Sequence, residues 1–293
     1  MSAAPFRINT LALVGVGLIG GSFALALKKA GMVGRVIGVG RSAANLEKAR
    51  EMGIIDEVVA DAGVAAARAD LVLVAVPVAQ TGAVFRAIAS QLAPGCVVTD
   101  AGSTKQDVVV LARAAFGAKL GQFVPAHPIA GAENSGAAAA RAELYQGRKV
   151  VITPLPETAP AALERVRAAW LACGAQLHSM QPAEHDAVFA AVSHLPHLLA
   201  YALVHEVALH DNAATLFDYA ASGFRDFTRI ASSHPEMWRD ICVANRGAIL
   251  AELKRYQGQL GELQAMLEAG DAAALEAVFE RARSARELWL KRQ

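Results

Sequence analysis

Three groups of residues in this chain have the types and spacing that chemistry needs. The first is Gly15-Val16-Gly17-Leu18-Ile19-Gly20, a G-x-G-x-x-G pattern. Between a strand and a helix, Gly15 would permit a tight turn, Gly17 would let backbone approach a pyrophosphate, and Gly20 would let helix and strand pack closely. The N–H groups that open such a helix, at Leu18 and Ile19, would then meet the phosphates at the positive end of the helix dipole. The alternative is a tight turn with no ligand. The second group is Pro125-Ala126-His127-Pro128-Ile129-Ala130-Gly131. Its imidazole has an unperturbed pKa of about 6.5, which suits a proton acceptor near neutral pH. The third is Ser193-His194-Leu195-Pro196-His197, whose i, i+3 spacing puts both imidazoles near one helix face. No HExxH or carboxylate partner accompanies the pair, so no metal is expected. A substrate contact and a packed core histidine both stay open for His194 and His197. His178, His205, His210 and His234 read as structural or surface residues.

The elements around these groups follow from hydrophobic patterning. Leu11–Val14 reads as a strand and Leu18–Ala30 as a helix closed by Gly31, which places the glycine motif in its required context. Further strands are predicted at Arg35–Val39, Leu71–Val76, Val97–Thr99, Phe123–Ala126, Val150–Thr153 and Ala175–Leu177. Helical stretches at Asn45–Met52, Gln106–Ala115 and Ala161–Cys173 alternate with them. Short apolar strands alternating with helices imply a doubly wound parallel α/β sheet, whose ligands bind outside the carboxyl ends of the strands. His127 sits just after one such strand. Beyond Met180 the strand signal fades. Pro182 suits the first turn of a helix running past Tyr201, and Ile249–Leu267 and Ala272–Leu290 carry helical spacing. The expected division is therefore an α/β domain at 1–180 and an all-helical domain at 181–293.

The end of the second strand bears on the ligand. A site preferring NAD would carry Asp or Glu there to hold a ribose 2′-OH. The residues are Val39-Gly40-Arg41-Ser42, with no acid. Arg41 could pair with a 2′-phosphate and Ser42 could donate to it, so NADP is favoured over NAD. The alternative is that Arg41 is a solvated loop residue.

Composition excludes several classes. Hydrophobic residues make up 54% and charged residues 19%, which rules out intrinsic disorder. Lys and Arg number 28 against 27 Asp and Glu, so no bulk charge draws the chain to nucleic acid. Residues 8–27 are uncharged, yet Gly15, Gly17, Gly20 and Gly21 would weaken a membrane helix by about 1 kcal/mol each. Residues 187–204 are also uncharged but include His194 and His197, costly in lipid. Neither a signal peptide nor a membrane span is expected. Cys96, Cys173 and Cys242 are far apart and form no CxxC, which points to reduced cysteines in a cytoplasmic protein. The apolar surplus then implies a large core, or one shared with a second copy.

Five stretches in order resemble the prephenate/arogenate (cyclohexadienyl) dehydrogenase family: GVGLIGGS at 15–22, DAGSTK at 100–105, HPIAGAE at 127–133, SHLPHLLAYAL at 193–203 and GFRDFTRIASSHPEMWRDI at 223–241. The resemblance implies a Rossmann-type domain followed by an all-α C-terminal dimerisation domain, intertwined in a homodimer. It implies oxidative decarboxylation of prephenate to 4-hydroxyphenylpyruvate, or of arogenate to tyrosine, with NAD(P) as hydride acceptor, in tyrosine biosynthesis. It assigns His127 as the catalytic histidine and Ser103 as a serine beside it. His197 becomes a substrate-site histidine with His194 as a lesser candidate, and Arg229 the arginine for a substrate carboxylate. Glu133 would be an acid at the site entrance, and Asp186 an acid near the helical domain's edge. Ala132 departs from the family, which often carries Thr there. With the sequence ending at Gln293, no fused regulatory or mutase domain is expected. The competing readings are an arogenate-specific or dual-specificity enzyme, another two-domain reductase, and a non-catalytic NADP-binding sensor.

Overall fold

The structure, a computed structural model, describes residues 6–131 and 135–292. These fall into two compact units divided after Arg246. The first unit opens with β1 (Ile8–Val14), α1 (Leu18–Lys29), β2 (Val33–Val39), α2 (Ala43–Glu51), β3 (Glu57–Val58), α3 (Ala62–Ala67), β4 (Leu71–Val74), α4 (Val78–Ala89), β5 (Val97–Asp100), α5 (Gln106–Phe116) and β6 (Phe123–Val124). These six strands form a sheet ordered β3-β2-β1-β4-β5-β6, parallel throughout. The order reverses between β1 and β4, which opens a crevice at their carboxyl ends. All four residues of both β4 and β5 are buried, as expected of strands covered on both faces. One apolar layer gathers Leu11, Leu13, Phe23 and Leu27 with Trp170, and the other gathers Val72, Val74, Phe85 and Phe123.

The predicted strand Phe123–Ala126 is instead two strands in two sheets. Pro125 divides them, because it has no N–H to give to a ladder. β7 (Ala126–Pro128) pairs antiparallel with β8 (Lys149–Ile152), which pairs in parallel with β9 (Gln176–Ser179). α6 (Pro160–Ala172) connects the last two. The short β3 and the helices α3 and α4 had no clear signal: β3 is two residues long and α3 is six.

The same unit continues with helices. The predicted long helix is observed as α7 (Pro182–Phe189) and α8 (Leu195–Ala208), joined through a π turn at Ala190–His194. α9 (Ala213–Asp218), α10 (Ser222–Thr228) and α11 (Pro235–Ala244) follow. The second unit holds α12 (Arg246–Ala269), which begins at the division, and α13 (Ala272–Leu290). Gly270, at φ +62°, ends α12 in the left-handed region, and Asp271 caps α13 by accepting from the Ala274 N–H. This unit leaves Leu260, Leu267, Phe279, Leu288 and Trp289 exposed.

Candidate active site

The glycine motif lies where β1 passes into α1, at the sheet's reversal point. Gly15 has φ +99°, and a Cβ there would stand 2.3 Å from the Ala75 carbonyl oxygen. A Cβ on Gly20 would stand 2.4 Å from the Gly15 carbonyl oxygen and 2.7 Å from Leu13. Gly17 differs: nothing lies within 4 Å of its added Cβ. Two of the glycines thus let the backbone close on itself, and the third leaves room above it. Gly17 caps α1 with no side-chain hydrogen bond, and the first turn carries no acid. The leading N–H groups, including those of Leu18 and Ile19, have no partner within the helix. This is the chemistry a pyrophosphate needs, so the residues present fit a dinucleotide.

Asn45 ties this loop to its surroundings. Its Nδ2 donates to the Val16 carbonyl at 2.6 Å and its Oδ1 accepts from the Ala137 N–H at 2.9 Å. Ser42 caps α2, its Oγ accepting from the Asn45 N–H. Arg41 is exposed, and with the Gln80 amide oriented to satisfy both groups it donates to Gln80 at 3.1 and 3.2 Å. Gln80 belongs to α4, so the guanidinium spans from the end of β2 to the helix that follows β4.

A second cluster is built around Asp100 at the carboxyl end of β5. One carboxylate oxygen accepts from the Ala126 N–H at 3.1 Å, the residue before His127. The other accepts from the Gly102 N–H at 2.8 Å and pairs with the Lys105 ammonium. Asp100 thereby anchors both the loop bearing Ser103 and the strand bearing His127. Lys105 is fully buried and paired with Asp100. Ser103 is half-buried in the turn between β5 and α5.

His127 is half-buried on β7, opposite Val151. Its Nδ1 lies 2.8 Å from His185 Nε2, and the Phe189 ring packs edge-on at 4.9 Å. His185 Nδ1 lies 2.8 Å from Asp186 Oδ1. Asp186 also accepts from the Lys105 and Gln106 N–H groups at the start of α5, at 2.8 and 2.9 Å. It is buried at the junction of α5 and α7, where the helical part meets the α/β part. Burial pushes its carboxyl up, but His185 and the two backbone donors outweigh that and hold it below its ordinary value. Burial pushes His127 well down, helped by His185 and Lys105. His185 is also lowered by burial, against the opposing pull of Asp186. Both imidazoles are therefore neutral at neutral pH, and Asp186 is an anion.

Beyond the π turn, His194 is 1% exposed. Its Nδ1 contacts Asn245 Nδ2 at 3.1 Å, and that amide also donates to the Asp186 carbonyl at 2.8 Å. Burial lowers His194 to about 4. These are the features of a packed core histidine, one of the two roles left open for it. His197 donates through Nδ1 to the Ser193 carbonyl at 2.9 Å and stacks on Trp238 at 3.6 Å, which leaves Nε2 with its lone pair. Burial lowers His197, and the charge of Arg229 adds to the effect. Arg229 is exposed and opens the 3-10 turn Arg229–Ser232. Glu133 and Ala132 lie outside the described residues. Sequence reasoning passed over His185, Asn245 and Trp238. Nothing in one dimension links His185 to His127 across 58 residues. Asp100 and Lys105 stood inside the DAGSTK stretch, but their pairing was not legible there.

A parallel sheet with a glycine loop at its reversal point, joined to helices bearing histidines, defines a dinucleotide-dependent oxidoreductase. Comparison with known proteins narrows the class. Residues 23–179 match the prephenate dehydrogenase nucleotide-binding domain, and residues 181–281 match the prephenate dehydrogenase dimerization domain. The chain belongs to the prephenate dehydrogenase family. It is 38% identical to a prephenate dehydrogenase of Bacillus subtilis, over 95% of this chain and 76% of the relative. It is 34% identical to a cyclohexadienyl dehydrogenase of Zymomonas mobilis, over 94% of each. The structure is similar to that of a prephenate dehydrogenase from A. aeolicus in complex with hydroxyphenyl propionate and NAD+. That likeness has a TM-score of 0.89 and 33% identity, covering 98% of this chain and 100% of that one.

Proposed function

We propose that this chain is a prephenate dehydrogenase that oxidatively decarboxylates prephenate to 4-hydroxyphenylpyruvate in the cytoplasm, acting as a homodimer. The observation that carries the mechanism is the contact of His127 with the His185–Asp186 pair, on the strand that Asp100 ties to the serine loop. Bound NAD(P) supplies the hydride acceptor. His127 accepts the ring hydroxyl proton as the C–O bond gains double-bond character, and returns it to the phenol oxygen once the ring carboxylate has left as CO2. Ser103, tethered through Asp100, stands as a hydroxyl partner at the same loop. Arg229 and His197 would hold the carboxylates of a dianionic substrate, with His194 behind His197 as support and Glu133 as the entrance acid. Gly15, Gly17, Leu18, Ile19 and Gly20 would cradle the pyrophosphate. We take 1–180 as the nucleotide half and 181–293 as the substrate and dimerisation half.

Arg41 and Ser42 support NADP preference, since no acid follows β2 and the Arg41 guanidinium is held toward α4 by Gln80. The cyclohexadienyl dehydrogenase relative supports a second reading, in which arogenate is also accepted. One spectrophotometric experiment tests all of this: prephenate and arogenate, each with NAD and with NADP. Reduction of NADP with prephenate at the highest kcat/KM is expected. Turnover of neither substrate would reject the enzyme in favour of a binding protein, and strong NAD preference would reject the role of Arg41.

A further inference from the structure

We infer that His185 is a positioning residue that fixes which nitrogen of His127 carries its proton, with Asp186 as the anchor; this rests on the proposed function above. One proton arrangement satisfies every contact. Asp186 is an anion and can only accept, and it already accepts from the Lys105 and Gln106 N–H groups. His185 Nδ1, 2.8 Å from Asp186 Oδ1, must therefore carry a hydrogen. A neutral His185 then offers Nε2 as a lone pair. His127 Nδ1, 2.8 Å away, must donate to it. A neutral His127 with its proton on Nδ1 exposes a lone pair at Nε2, which is the form a base needs. Were His185 cationic, both its nitrogens would donate, and His127 would be forced into the opposite tautomer with no lone pair at Nε2.

The surroundings favour the productive arrangement. The charged or titratable groups facing this pair are Asp186 beside His185 on α7, Asp100 and Lys105 at the junction of β5 and α5, and His194 in the π turn. Lys105 places a positive charge near both rings and disfavours an imidazolium on either. Phe189 packs on both, 4.5 Å from His185 and 4.9 Å from His127, and limits their rotation. When His127 takes a proton, its Nδ1–H bond to His185 strengthens, and Asp186 stabilises the cation through the intervening ring. His185 touches no reacting atom in this scheme; it acts through His127.

The test compares the full-length protein with its His185→Leu, His185→Gln and His127→Asn variants. Leucine removes the acceptor, whereas the glutamine amide oxygen replaces it near the position of Nε2. For His185→Leu, kcat with prephenate is expected to fall about 10–100-fold while KM and the dinucleotide Kd change less than about threefold. The acid limb of its kcat profile should shift as well, because the Nδ1–H of His127 loses its acceptor. His185→Gln should recover most of the lost kcat. Nitrogen NMR of histidine-labelled wild type should find His127 neutral with its proton on Nδ1. Unchanged kcat and pH profile in a folded His185→Leu variant would overturn the inference, as would a His127 proton on Nε2. If His185→Leu does not fold, the glutamine variant and the NMR tautomer decide the matter. An inactive His127→Asn enzyme beside a normal His185→Leu enzyme overturns the relay alone. A fully active His127→Asn enzyme overturns the proposed function, and the tautomer measurement still judges the relay.

Discussion

At the scale of single residues, the proposed roles separate a base from its binding groups. His127 is neutral because burial and the neighbouring His185 and Lys105 oppose a proton on it. His127→Asn should therefore lower kcat by about 10²–10⁴ with little change in KM, since the amide keeps shape but cannot accept the proton. Near-normal turnover in a steady-state assay would remove His127 from the mechanism. Arg229 opens the 3-10 turn Arg229–Ser232 and is exposed, and its charge is felt at His197. Arg229→Ala should mainly raise KM for the substrate, because the proposed carboxylate partner would be lost equally before and during the chemical step. A fall in kcat at constant KM would contradict that division of labour.

At the scale of elements, the strand–loop–helix of β1 and α1 makes its glycines unequal. Gly15→Ala places a Cβ 2.3 Å from the Ala75 carbonyl at a positive φ, so both backbone strain and a clash follow. A loss of about 2–4 kcal/mol of stability is expected, read as a lower midpoint in urea unfolding. Gly17→Ala meets nothing within 4 Å, so its unfolding midpoint should stay near wild type. Its dinucleotide Kd, measured by fluorescence titration, should rise at least about tenfold, since the new methyl occupies the approach to the phosphates. Equal effects of the two substitutions on stability would show that the loop is not built as described. Pro125 makes a second decision at this scale. By ending β6 it sends the chain into another sheet and delivers His127 to the face where α7 waits.

At the scale of the whole molecule, buried histidines set a pH dependence. His127, His185 and His194 all bind protons more weakly when folded than when unfolded. Between the folded value and the ordinary value of about 6.5, the unfolded chain holds more protons, so stability falls as pH falls. For His194 that window runs down to about 4, and each histidine contributes a slope of up to about 1.4 kcal/mol per pH unit. Asp186, lowered in the fold, adds stability above the ordinary carboxylate value of about 3.9, and loses it as pH drops through its folded value. Urea unfolding at about pH 7.5 and about pH 5 should show this loss, and His194→Gln should make the slope shallower. A pH-independent midpoint would refute it. The second unit exposes Leu260, Leu267, Phe279, Leu288 and Trp289, and the matched family domain is one of dimerisation. Analytical ultracentrifugation should find a dimer at nanomolar concentration; a stable monomer would leave these side chains without a purpose.

The sequence alone determined the local elements and the type of chemistry. Hydrophobic period and glycine spacing are properties of neighbouring residues, so β1, α1 and the glycine turn between them were legible from Leu11 to Ala30. The apolar strands and the helices Gln106–Ala115 and Ala272–Leu290 were legible for the same reason. The histidines at 127, 194 and 197 could be singled out from their spacing but ranked only through the family resemblance, because burial is a property of packing. Tertiary structure decided that His194 is enclosed with Asn245 while His197 stacks on Trp238 and bonds the Ser193 carbonyl. It also decided that His185 and Asp186 stand behind His127, and that Lys105 is buried on Asp100. Those pairings join residues far apart in the chain. Their energetics depend on desolvation and distance, which only the folded molecule defines.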